Sequence, residues 1–206
     1  MTIGLNINAQ LRTLASAEGM LQNPRLITLW AAEAVTKRLR KHFGDRDQTR
    51  NRLGGRATHL WRDIRKSTST GPVTGGGKIG HVIISHPVFP QKLYGGDIKP
   101  GPDKSALTIP QTEKSYGLTT RDFEAETGLK LFVLKVGGTK ANKFSHALLA
   151  AVEDGHLVIE YALVPSVHQD PDPNALPPKE ELAAVATAGA EAQIQSQLAA
   201  LQPPTT

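Results

Sequence analysis

The sequence predicts an α+β fold: an antiparallel β-sheet packed against a long N-terminal helix, with a Pro/Ala-rich C-terminal extension. Three observations lead there. Apolar residues recur at helical spacing after Asn23-Pro24. Two glycine turns, Gly75-Gly76-Gly77 and Asp154-Gly155, each sit between β-tolerant runs. Beyond Pro165 the composition shifts to Pro and Asp, then to Ala, Gln and Glu.

Taken in order, Asn8 caps a short helix over 9–20 that Gly19 weakens. The stronger helix starts with Asn23 as N-cap and Pro24 at the first helical position, where its missing N–H costs nothing. Its stripe runs Leu26, Ile27, Trp30, Ala31, Ala34, Val35, Leu39 and Phe43; it faces a sheet and ends near Gly44. A polar loop with a Gly-Gly break leads to a shorter amphipathic helix whose apolar side is Leu60, Trp61 and Ile64. A hairpin follows, with strands over Ser69 to Val73 and Ile79 to Ser85 around the glycine turn. The run from Leu93 to Pro110 then reads as a tight loop feeding a strand at Ala106 to Ile109, because Pro100-Gly101-Pro102 forbids helix. Arg121 to Glu126 is a helical turn, Leu129 to Val136 a strand ended by Gly137-Gly138, and Ala147 to Val152 and His156 to Val164 the second hairpin. The domain reading is an N-terminal arm or short helix over 1–22, a core over 23–165, and a Pro-rich linker with an Ala-rich helical tail over 166–206. With only a thin apolar stripe, that tail is expected to be dispensable for folding, docked on a neighbour or mobile.

The absence of cysteine removes disulfides, thiol nucleophiles and thiolate metal sites. No apolar run approaches the roughly 18 residues a membrane span needs, and the first residues lack a signal-peptide pattern, so the expectation is a soluble, unexported chain made in the cytoplasm. Seven histidines are scattered without ligand spacing, and no serine nucleophile pattern accompanies them. Gly75-Gly76-Gly77-Lys78 invites a phosphate-loop reading, but Pro72 stands where the leading glycine is needed and Ile79 where Ser or Thr would hold magnesium. The expectation is a protein that is not an enzyme, with no catalytic, cofactor or metal residues. Trp30 and Trp61 could stack on bases, but each sits on an apolar helical face, which assigns them to core packing.

The net charge of +5 is unevenly spread. Between Lys37 and Lys66 eleven Lys or Arg face three Asp, a local balance of +8, so the remainder sums to −3. Lys37, Arg40, Lys41, Arg46, Arg50, Arg52 and Arg56 form a candidate basic contact surface. A solvated helix face with a basic loop is the plainer account of the same residues.

The strings QKLYGGDIKP and KSALTIP, with RLGGRATHLWRDI upstream, resemble the bacteriophage virion-morphogenesis family, the Mu-like tail-completion and tail-terminator neck proteins. Its members carry a Gly-Gly-x-Ile-x-Pro loop followed by a Lys and a Leu-x-Ile-Pro strand. The positions here are Gly95, Gly96, Ile98, Pro100, Lys104, Leu107, Ile109 and Pro110, led by Tyr94. Tyr116-Gly117 and Arg121-Asp122-Phe123 are also similar, and the likeness covers roughly Ala34 to Val164. It implies a structural component of the head–tail junction that forms a ring, usually a hexamer, completing the tail and joining it to the head connector. The implied partners are further copies of the chain and the neighbouring neck, connector and tail-tube proteins, within a virion, with DNA in the lumen as a further candidate. The Tyr94–Pro110 residues would then be an assembly loop. The tail beyond Pro165 maps onto no feature of the family. The alternative is a basic DNA-binding accessory protein acting through Lys37–Lys66.

Overall fold

The computed structural model describes residues 19, 22–48, 50, 53–55, 58–135 and 147–200. The expected helix over 9–20 lies outside these residues apart from position 19, and so do the Gly137-Gly138 break, Arg52 and Arg56. The fold is α+β, and the chain divides into two units that interleave in sequence. Unit 1 is built from Met1–Arg46, Trp61–Phe89 and Leu176–Thr206; unit 2 from Asp47–Leu60 and Pro90–Ala175.

Unit 1 is organised on α1 (Pro24–Arg46). Asn23 Oδ1 accepts the Leu26 N–H at 3.2 Å, as an N-cap does. The helix runs past Gly44 to Arg46, and a Cβ at Gly44 would lie 3.3 Å from Arg65 Nη1, the end of an exposed side chain. Its buried residues Ala32, Thr36, Leu39 and Phe43 keep helical spacing, but only Leu39 and Phe43 belong to the expected stripe, whose other members are half-buried. Helix α2 (Leu60–Lys66) leads through Ser67 into β1 (Thr68–Thr70), which pairs antiparallel with β2 (Val82–Ile84). The hairpin between them turns through a short 3-10 segment at Gly75–Gly77, closed by a Thr74–Ile79 bridge. Phe43 is fully buried, stacked on Trp61 at 6.0 Å and meeting Phe89 edge-on at 5.7 Å. Burying one such ring is worth about 1.5–3 kcal/mol.

The principal partner of α1 is α5 (Lys179–Ala200), with the β1–β2 hairpin as a smaller one. The helical part of 166–206, expected to dock on a neighbour or stay mobile, is thus packed on α1 of its own chain. The two helices come so close at Gly189 that an added Cβ would overlap the Cβ of Ala34. A seam of small residues lets backbones approach where large side chains would hold them apart. The thin apolar stripe of α5 was therefore no sign of idleness. Arg38 Nε adds a 2.5 Å bond to Glu181 of α5.

Unit 2 holds α3 (Phe89–Tyr94) from Pro90 onward, β3 (Gly96–Ile98), β4 (Leu107–Pro110), α4 (Thr120–Thr127), β5 (Phe132–Lys135), β6 (Ala147–Glu153), β7 (His156–Val164) and β8 (Val167–Gln169). The main sheet has the order β4-β7-β6-β5, all antiparallel. Asp154 and Gly155 both take positive φ, 49° and 79°, which suits the two-residue β6–β7 turn. Strand β5 begins at Phe132, three residues later than the alternation suggested. Thr119 caps α4 by accepting the Asp122 N–H, and Gly128 ends it in the left-handed region. Phe123 thereby lands on Tyr161, ring centroids 5.8 Å apart, both buried. The Tyr161 hydroxyl donates to the carbonyls of Ser115 and Leu118, and burial pushes its phenol up to about 12. The segment expected to be a linker instead carries β8, which pairs antiparallel with β3.

Candidate functional site

The glycine-led loop takes its shape from α3, an element the sequence reading did not assign. Its signal was present: Pro90 in the first turn and Gly95 just past the end are the usual helix punctuation. Gly95 closes the helix with φ 68°, its N–H donating to the Gln91 carbonyl at 3.0 Å. A Cβ at Gly95 would sit 2.5 Å from the Gln169 carbonyl oxygen and 2.8 Å from Pro171. Gly96 also has positive φ, 119°, but a Cβ there would meet only the Gln91 side chain at 3.7 Å. The close approach expected of this pair therefore belongs to Gly95, and the neighbour is the chain's own β8 segment. Gln91 Nε2 donates to the Gly96 carbonyl at 3.0 Å and the Asp172 N–H to the Lys92 carbonyl at 2.8 Å, fixing the loop on both sides.

Beyond the glycines, β3 places Asp97 opposite His168, and their side chains bond at 2.7 Å. That hydrogen bond raises the His168 pKa above its ordinary value, helped by the charges of Asp97 and Asp170. The chain turns at Gly101–Lys104 and enters β4, which pairs with β7 from Leu107↔Val164 to Pro110↔Tyr161.

Ile98, Lys104, Leu107 and Ile109 line one open groove of about 720 Å³ together with Leu118, Leu163 and Val167. Tyr94, 74% exposed, stands at the end of α3. Pro100 is half-buried and Pro110 ends the edge strand β4 without an N–H to offer. The remaining motif glycines, Gly95 and Gly96, set the backbone path. Further along unit 2, register places Phe132, Val152, Leu157 and Ile159 on one face of the sheet, each at least 41% exposed.

The basic segment fares differently. Arg40 donates through both Nε and Nη2 to the Thr68 carbonyl, at 2.9 and 2.7 Å, so it anchors β1. Arg46 lies 3.9 Å over the Trp61 ring, a cation–π contact. Lys41 pairs with Asp45 at 2.6 Å, and that bond holds the Asp45 carboxyl below its usual range. Lys37 and Arg50 are exposed. Three of the seven residues read as a contact surface, Arg40, Lys41 and Arg46, thus have partners within the chain.

The reading also missed Glu160, which is fully buried where β7 bulges against β6 between Leu149 and Ala150. Its Oε2 accepts from the Thr112 hydroxyl, its carbonyl from Ser115 Oγ at 2.8 Å, and its Oε1 has no hydrogen-bond partner. Nothing in the alternation of β7 distinguishes it from an outward-facing glutamate. No His, Asp and Glu cluster able to hold a metal occurs among the described residues. Among them, too, no helix is long and apolar enough to cross a membrane.

Comparison of the chain with known protein families, with curated proteins and with solved structures gives no match in any of the three.

Proposed function

We propose that this chain is a structural component of a bacteriophage head–tail junction, assembling as a ring that completes the tail and joins it to the head connector. The observation that carries the reading is the convergence of four motif residues, Ile98, Lys104, Leu107 and Ile109, on one open groove, with a fifth, Tyr94, exposed at the end of α3. The apolar sheet face at Phe132, Val152, Leu157 and Ile159 supplies a second and different surface. Rings close through contacts between unlike surfaces of identical subunits, and contiguous exposed apolar patches mark interaction sites. Its partners on this reading are further copies of itself and the adjoining neck, connector and tail-tube proteins within the virion.

Native mass measurement and negative-stain images of the full chain test this. The expected result is a closed ring, a hexamer on the family pattern, that Tyr94→Ser with Ile98→Ser disperses into folded subunits. A wild-type monomer whose DNA affinity falls steeply with salt would overturn it in favour of the basic accessory reading.

A further inference from the structure

A cleft of about 1190 Å³ lies within unit 1, between α1 and α5. Lys37, Arg38, Arg40 and Lys41 of α1 and Arg65 of α2 line it, against only Glu33 and Asp45 of opposite sign. Asp45 is tied to Lys41, and Arg40 to the Thr68 carbonyl. Two cations, Lys37 and Arg65, remain exposed and without an ion pair among the described residues, and Arg38 is engaged by Glu181 through its Nε. Gly44 leaves room for Arg65, as noted for α1.

Arg38 is the informative one. Its Nε is satisfied by Glu181, but its Nη1 is buried and lacks any acceptor. A buried charged N–H without an acceptor is costly, and native structures rarely tolerate one without a reason. A guanidinium fork is built to take the oxygens of a phosphate or carboxylate. The facing wall is small and apolar, formed by Val185, Ala188 and Gly189. A concave site with one dry wall and a few cations is the form that small-ligand sites take. Duplex DNA is better met by a row of cations on open surface.

We propose that this cleft binds a phosphate-bearing small molecule, its phosphate held by Arg38 with Lys37 and Arg65 and its apolar part lying against Val185 and Ala188. The inference is independent of the neck reading and requires no ring.

Titration calorimetry on the full chain tests it, with phenyl phosphate and inorganic phosphate as probes and ionic strength held constant with sodium chloride. Saturable binding is expected, tighter for phenyl phosphate, with a rise in unfolding temperature that chloride does not reproduce. Lys37→Gln with Arg65→Gln removes two exposed charges, so the fold is expected to persist while affinity drops by about tenfold or more. Arg38→Lys keeps the charge but loses the fork, and it should weaken binding similarly with far-UV circular dichroism unchanged. The proposal is overturned if neither probe binds, or if the Lys37/Arg65 variant binds both probes as the wild type does. It is also overturned if a short DNA duplex, rather than either phosphate, shows the dependence on Lys37 and Arg65.

Discussion

In unit 1, α1 and α5 meet where side chains are nearly absent, Gly189 on Ala34; in unit 2, α4 meets the sheet where two rings fill the space, Phe123 on Tyr161. Both contacts close a core. One does so by subtraction, letting backbones approach, and the other by volume. The α1–α5 seam should therefore be hurt first by added atoms and the Phe123–Tyr161 contact by removed ones, because cores sit near close packing and have little slack.

The most drastic way to break this contrast is to remove α5. A chain ended after Ala175 keeps every strand of unit 2 but leaves α1 without its main partner. Hydrogen exchange should show loss of slow amides in α1 with the β6–β7 hairpin still protected. Equal protection of α1 in the truncated and full chains would mean that α5 contributes little. Next, Phe123→Ala should cost about 3–5 kcal/mol, with denaturant unfolding of unit 2 shifted first. Gly189→Ala, an exchange that gains about 1 kcal/mol on an open helix, should here cost about 1–3 kcal/mol through overpacking. Ala34→Gly in the same chain should recover part of that loss, and a double-mutant cycle measures the coupling. If Gly189→Ala instead stabilises, the seam is looser than described.

Within unit 2 the glycine pair sharpens the same distinction. Gly95→Ala combines left-handed strain with overlap of the Gln169 carbonyl and should cost about 2–3 kcal/mol, whereas Gly96→Ala carries the strain alone, on the order of 1 kcal/mol. Chemical denaturation of the two variants side by side decides it. The smallest expected effect is electrostatic. His168 has its folded pKa raised by Asp97, so the stabilisation is complete below the unfolded value near 6.5 and is lost as pH rises through the folded one. Amides of β3 and β8 should exchange faster, beyond the intrinsic base-catalysed rise, across that window. Asp97→Asn should abolish the excess, and an unaltered profile in that variant would remove the pair from the account.

Local signals were legible where one short segment fixes one conformation. Asn23-Pro24 started a helix, Asp154-Gly155 made a two-residue turn, and the spacing from Leu26 to Phe43 marked a helix, although its buried line also takes in Ala32 and Thr36. What stayed hidden depended on pairs distant in sequence. Nothing in Thr187-Ala188-Gly189-Ala190 says that Ala34 is its partner, and a helix that packs by lacking side chains looks, in hydropathy, like one that does not pack. Likewise Arg40 and Arg46 counted as free charge until Thr68 and Trp61 were seen beside them. At the loop, the need for glycine was readable, but which glycine is crowded depended on β8, some seventy residues on. Gly95 could not reveal that alone.

Because α1 and α5 belong to one unit while most of unit 2 lies between them in the chain, the order of synthesis and the order of folding cannot coincide. The sheet of unit 2 has all its strands once Val164 has left the ribosome, but α1, made long before, waits for residues near Ala200. Until then its apolar face, with Leu39 and Phe43, has only the β1–β2 hairpin, α2 and Phe89 to cover it. Closing contacts over so long a loop is slow, and exposed apolar surface in the interval invites association with other chains. The nascent protein should therefore be most vulnerable to aggregation late in translation, and slowing elongation between Pro165 and Lys179 should lower its soluble yield.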